Sequence, residues 1–207
     1  MNNFDIVYYI NLDHRKDRFD HINNELAKTN IDKNKINKIE GIYIKTFGIL
    51  GCAKSHIKTL ETFLKTPEHI QNCIIFEDDF IFIKEMEEVN KLINLFFNEI
   101  KEFDVLMLSS NILNAHDTKY YFLKKIIDAQ TLSGYCVSKK FAPILLANYK
   151  ESVSILEKIG YKTHTYCFDI WMKQLQPKSN WYSINPLIGK QIESYSDIEN
   201  KIVDYNC

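Results

Sequence analysis

Residues 73–80 read CIIFEDDF, an unbroken apolar run that ends in three consecutive carboxylates. Apolar residues without polar alternation fit a strand buried on both faces, as in a parallel sheet covered by helices on each side. Three acids at its end put charge where an open sheet of that kind presents residues to a ligand. Side-chain alternation predicts Glu77 and Asp79 on one side and Asp78 on the other. Two carboxylates so placed repel one another unless a cation lies between them. A hard oxygen site with few protein ligands suits Mg²⁺ or Mn²⁺, completed by water and phosphate oxygens. The same acids also read as a helix cap or as charges that solubilise a strand end. Residues 80–83 (FIFI), which separate them from the next helical pattern, weaken the cap.

The flanking sequence alternates in the same style. Residues 6–12 (IVYYINL) predict a strand, and Phe19, Ile22 and Leu26 mark one face of a helix over 16–28. A short strand is expected at 41–44, then a helix from Cys52 that stops before Pro67. Met86, Val89, Ile93, Phe96 and Ile100 mark a third helix. Residues 104–108 and 129–137 predict further strands, and 139–148 a helix. Residues 169–175 suggest another helix, 181–184 a strand, and the last twenty residues mostly loop. Alternation of this kind predicts an α/β fold with a largely parallel sheet flanked by helices. Residues 1–207 are expected to form a single domain, because no linker or repeat interrupts them.

Near-equal charge, 26 basic against 27 acidic residues, gives no electrostatic footprint for nucleic acid or an anionic membrane. No apolar run reaches bilayer-spanning length and the N-terminus lacks secretory-signal features, so a cytoplasmic location without a transmembrane segment is expected. Cys52, Cys73, Cys136, Cys167 and Cys207 are widely spaced and odd in number, which suits reduced thiols, and none is assigned chemistry.

Three further clusters bear on function. In NLDHRKDR, residues 11–18, a strand end turns into a helix that carries Arg15 and Arg18 near its start, a cradle for a diphosphate. The same charges equally form a solvated face with local ion pairs. In GILGCAKSH, residues 48–56, two glycines allow close backbone approach while Ser55 and His56 supply hydrogen-bonding groups. Asp169, set in CFDIWMKQL, sits in apolar company that raises a carboxylate's pKa toward that of a general base, or serves as an ordinary cap. Neither a Walker lysine pattern nor G-x-G-x-x-G is present.

Taken in order, residues 8–18 (YYINLDHRKDR), 51–56 (GCAKSH), 74–80 (IIFEDDF), 132–146 (LSGYCVSKKFAPILL), 168–171 (FDIW) and 185–198 (NPLIGKQIESYSDI) resemble the blocks of glycosyltransferase family 25. That family contains lipooligosaccharide and procollagen galactosyltransferases. The resemblance implies a GT-A type, Rossmann-like fold and inverting transfer of a hexose, galactose or glucose, from a UDP-sugar donor. The implied acceptor is a hydroxyl of a glycan, a lipid-linked saccharide such as lipooligosaccharide, or a protein, met at the cytoplasmic face of a membrane. It further implies Mn²⁺ or Mg²⁺ on Glu77 and Asp79, and Asp169 as the catalytic base. Donor contacts are expected from Asn11, Leu12, Arg15, Arg18, Ser55, His56, Asp78, Gly134 and Gln191. The chain departs from that pattern at Lys54, where the family favours an apolar residue. His164 is its last histidine, so no later one serves as a metal ligand. Strand-end aspartates also suit a metal-dependent phosphohydrolase, and a sugar-nucleotide-binding protein without turnover needs the same fold.

Overall fold

The computed structural model describes residues 1–161, 163–196 and 201–203. Its elements in chain order are β1 (Ile6–Asn11), α1 (Lys16–Ala27), β2 (Ile36–Glu40), α2 (Gly48–Leu64), β3 (Asn72–Glu77), β4 (Phe80–Phe82), α3 (Met86–Glu99) and β5 (Val105–Asp117). They continue as β6 (Leu123–Ser138), α4 (Ala142–Ile159), α5 (Phe168–Trp171), β7 (Trp181–Ile184), β8 (Gly189–Gln191), β9 (Ser194–Ser196) and β10 (Lys201–Val203). A six-stranded sheet runs β2-β1-β3-β6-β5-β7. β1 is parallel to both β2 and β3, β5 is parallel to β7, and β6 runs against its neighbours β3 and β5. The sheet is thus mostly parallel, as expected.

The apolar run of β3 explains its place in the middle. Cys73 and Ile75 pack into one core with Leu60 and Phe63 of α2 and Leu145 and Tyr149 of α4. Ile74 and Phe76 pack into a second core with Ile22 and Leu26 of α1 and Ile93 and Phe96 of α3. All four β3 residues are fully buried. Each side chain of this size, removed from water, contributes about 1.5–3 kcal/mol.

Several boundaries differ from expectation for physical reasons. The strand expected at 41–44 lies instead at β2, an edge strand with an alternating rather than continuous burial pattern. Residues 41–44 form an unpaired link, and Ser55 holds it by accepting from the Ile42 N–H at 2.8 Å. α2 begins four residues before Cys52, and α4 reaches Ile159 with Pro143 in its first turn, well past the expected 139–148. β5 runs well past the strand expected at 104–108, and residues 111–117 form its outer half in a long hairpin with β6. The helix expected at 169–175 is one α-helical turn, α5, followed by 3₁₀ turns. The terminal segment holds β8, which pairs antiparallel with β4, and β9, which pairs with β10, rather than loop alone. Cys52, Cys73, Cys136 and Cys167 are free thiols, while Cys207 lies outside the described residues. Among the described residues no helix is long and apolar enough to cross a membrane.

Candidate functional site

β3 stops at Glu77, and Asp78 and Asp79 form a turn into β4. α1 and β8 hold that turn in place. His21 Nε2 lies 2.9 Å from the Phe80 carbonyl, and the buried Glu25 accepts from the Phe82 N–H at 3.1 Å. The Asp79 carbonyl accepts from the Ile192 N–H at 2.8 Å. The Phe80 ring fills a slot whose walls are glycines. A Cβ at Gly134 would lie 2.5 Å from Phe80 Cε2, and one at Gly189 2.2 Å from the same atom, so neither position accepts a side chain while the ring stays put.

The turn corrects the alternation expected through Asp79. Glu77 lies on the α2 side, but Asp78 and Asp79 both reach Arg18 of α1. Arg18 Nη1 is 3.0 Å from Asp78 Oδ1 and 2.9 Å from Asp79 Oδ2. Asn11 Nδ2 donates to Asp78 Oδ2 at 2.8 Å, and Gln191 Nε2 donates to Asp79 Oδ2 at 2.9 Å. The other oxygen, Asp79 Oδ1, is buried without a hydrogen-bond partner. A buried carboxylate oxygen in that state is costly unless something cationic or protonated meets it. Burial pushes the Asp79 carboxyl up to about 7, Arg18 opposes the shift, and the charges of Glu77 and Asp78 add to it. Asp78 is raised too, again chiefly by burial, with Arg18 and Asn11 pulling it down.

The two arginines of the 11–18 cluster part company. Arg18 turns inward to the acids, whereas Arg15 forks onto the exposed Asp17, with Nε to Oδ1 at 3.0 Å and Nη2 to Oδ2 at 2.8 Å. That fork holds Asp17 down at about 2. The Leu12 carbonyl accepts from the Arg15 N–H at 2.8 Å, and the Arg15 carbonyl accepts from Asn11 Nδ2 at 3.1 Å. Ser55 spends its hydroxyl on backbone, donating to the Gly51 carbonyl at 2.8 Å.

On the α2 side, His56 is fully buried between Phe168 and Tyr135. Its Nε2 lies 3.0 Å from Glu77 Oε1 and its Nδ1 3.0 Å from the Tyr135 hydroxyl. Cys52, one helical turn before His56, points its Sγ at Glu77 Oε1 from 3.8 Å. The ligand atoms of Cys52, His56 and Glu77 lie within 4.8 Å of one another, close enough to hold a metal ion. Beside them a cavity of roughly 140 Å³ is lined by Cys52, Glu77, Thr131, His164, Asp169 and Gln191 among others. Burial raises the Asp169 carboxyl, as its apolar setting led us to expect. The Thr131 backbone N–H and the nearby His56 hold it down, and the Glu77 charge raises it further. Thr131 has φ 65°, a left-handed conformation that a β-branched residue seldom adopts. No local pattern marks that strain, nor Tyr135 as the partner of His56. The Cys52–His56 spacing was the one available signal for the cysteine.

The sequence model of glycosyltransferase family 25, described as an LPS biosynthesis protein, matches residues 44–170, more than half of the chain. The chain belongs to glycosyltransferase family 25. The matched segment of this glycosyltransferase carries α2, the acidic turn, Gly134 and Asp169. A comparison with curated proteins found no match. Among solved structures, a glycosyltransferase involved in the glycosylation of the major capsid of PBCV-1 is similar over 94% of this chain and 96% of its own, at 8% identity and a TM-score of 0.55. A197 from STIV aligns over 96% of this chain and 92% of its own, at 12% identity and a TM-score of 0.49. The capsid glycosyltransferase shares the GT-A type fold expected of the family.

Proposed function

We propose that this glycosyltransferase moves a hexose, galactose or glucose, from a UDP-sugar to an acceptor hydroxyl with inversion, and that Mn²⁺ or Mg²⁺ assists it. The observation that carries this reading is the partnerless buried oxygen Asp79 Oδ1 at the end of the central strand, beside further carboxylate oxygens. An all-oxygen donor set fits a hard cation. Asp79 is the ligand we assign, with Glu77 adding a carboxylate from the strand end. When bound, such a cation neutralises charge on a departing diphosphate.

The remaining roles belong to the chain itself. Arg18 and Asn11 hold Asp78 and Asp79 in the turn and offer donors to the diphosphate. Gln191, fixed on Asp79, borders the cavity between the acidic turn and Asp169. Asp169 takes the proton of the acceptor hydroxyl, a task its raised pKa suits. Leu12, Arg15, Ser55, His56 and Gly134 serve the donor site through backbone and packing contacts that fix the strand ends and the turn. Residues 1–207 are read as one transferase domain, since both cores share one sheet. The family's LPS description favours a lipid-linked saccharide acceptor, met at the cytoplasmic face of a membrane.

The test is UDP release from UDP-galactose and UDP-glucose with Mn²⁺, with EDTA, and with Asp79→Asn. Manganese-dependent UDP release that the substitution abolishes supports the reading. Phosphate release from simple esters would instead indicate a phosphohydrolase, and donor binding without turnover a non-catalytic protein.

A further inference from the structure

We propose that Cys52, His56 and Glu77 form a second cation site, on the α2 side of the strand end and sharing Glu77 with the first, that takes a borderline-soft divalent ion of the zinc type. The donor set is one thiolate, one imidazole and one carboxylate, which suits zinc and not Mn²⁺ or Mg²⁺. Its geometry is near that of a loaded site. Bond lengths of about 2.0 Å to nitrogen and oxygen and about 2.3 Å to sulfur in a tetrahedron set ligand atoms roughly 3.3–3.6 Å apart. The observed 3.0 Å between His56 Nε2 and Glu77 Oε1 and 3.8 Å between Cys52 Sγ and Glu77 Oε1 bracket that range. The third edge, Cys52 Sγ to His56 Nε2, lies within 4.8 Å, so loading draws the thiol toward the imidazole by up to about an ångström.

Two further features point the same way. Tyr135 lies 3.0 Å from His56 Nδ1, and a hydroxyl both donates and accepts. It therefore supports either tautomer and orients Nε2 toward the site, as outer partners of metal-bound histidines do. Cys52 and Glu77 also line the cavity shared with Asp169, which leaves a fourth position open. Loading removes the thiol proton, which leaves to solvent, and shifts the His56 proton from Nε2 to Nδ1, where the Tyr135 hydroxyl accepts it, so that bonds to the ion replace the Nε2 to Oε1 hydrogen bond. Both readings draw on Glu77, but only the proposed function draws on Asp79, so Asp79→Asn separates them.

The experiment measures zinc in the purified full chain, then replaces it with Co²⁺. About one zinc per chain is expected, with an intense near-ultraviolet thiolate-to-cobalt band. Cys52→Ser should lose that band while its circular dichroism matches the parent, and Asp79→Asn should keep it. X-ray absorption at the zinc edge of the unaltered chain provides the second measurement, since it needs no variant to fold. One sulfur at about 2.3 Å supports the site. Zinc that does not copurify and cobalt that gives no thiolate band would overturn it. So would an all-nitrogen and oxygen shell, a band that persists in Cys52→Ser, or one that Asp79→Asn abolishes. Loss of this site with manganese-dependent UDP release intact would leave the proposed transferase reading standing.

Discussion

Asp79 and Asp78 share one guanidinium, so the turn carries one more carboxylate than Arg18 neutralises. The excess has a measurable consequence in metal-free protein. An unfolded aspartate titrates near about 3.9, whereas Asp79 in the folded chain titrates at about 7. Between those values the folded state holds a proton that the unfolded state has released. Its contribution is therefore complete below about pH 4 and is lost as pH rises through about 7. The urea midpoint of Asp79→Asn, measured with EDTA, should exceed that of the parent at pH 8 and converge with it toward pH 4, by at most about 1.4 kcal/mol per pH unit. Parallel profiles would show that Asp79 is ionised throughout. Asp169 makes a kinetic counterpart. As the proposed base it must be deprotonated to accept a proton, so its raised pKa should move the acid limb of the turnover profile above the usual aspartate range. Asp169→Asn should lower turnover by about 10²–10⁴-fold and leave donor binding unchanged, as a turnover assay paired with a donor titration will show.

At the scale of elements, the site depends on a small sheet that no periodicity announces. β4 and β8 are three residues each, and they clasp the Phe80 ring between Gly134 and Gly189. Gly134→Ala forces a methyl group toward a ring carbon 2.5 Å away, which should cost about 1–3 kcal/mol and loosen the acidic turn one residue earlier. Phe80→Leu in the same chain should recover part of that loss, and a double-mutant cycle in urea reads the coupling directly. This clasp also shows what sequence could and could not reveal. The continuous apolar pattern of β3 specified a doubly covered sheet, and the helical stripes of α1 and α3 specified its cover, because each pattern is local. β8 lies more than a hundred residues from its partner and owes its strand form to that partner, so its own three residues carried too little pattern to mark it. Asp79 departed from strand alternation for a related reason: the strand had already ended, and a turn obeys a different geometry. Arg18, three residues after Arg15 and its ion pair with Asp17, needed the fold to bring the acids to it.

At the scale of the molecule, the residues proposed to act lie near the carboxyl ends of the parallel strands, where sheets of this kind bind ligands, and Glu77, Asp169 and Gln191 line one cavity there. β1 supplies Asn11, β3 supplies Glu77 and the turn, and the segments after α4 bring in Asp169 and Gln191 from the far end of the chain. A ligand that bridges these segments binds the folded state alone, so it must raise the unfolding midpoint. At a hundredfold excess over its dissociation constant the gain is about 2.7 kcal/mol, which for a chain of this size corresponds to about 5–10 °C. UDP-galactose or UDP-glucose with Mn²⁺ should produce a shift of that order in a thermal melt. The same nucleotide with EDTA should produce a much smaller one, because the unneutralised diphosphate then meets Asp78 and Asp79 with only Arg18 to offset them. Asp79→Asn should erase the manganese-dependent increment and Arg18→Gln most of what remains. An equal shift with and without the metal would detach donor binding from the acidic turn and move the search to Arg18 and Asn11 alone.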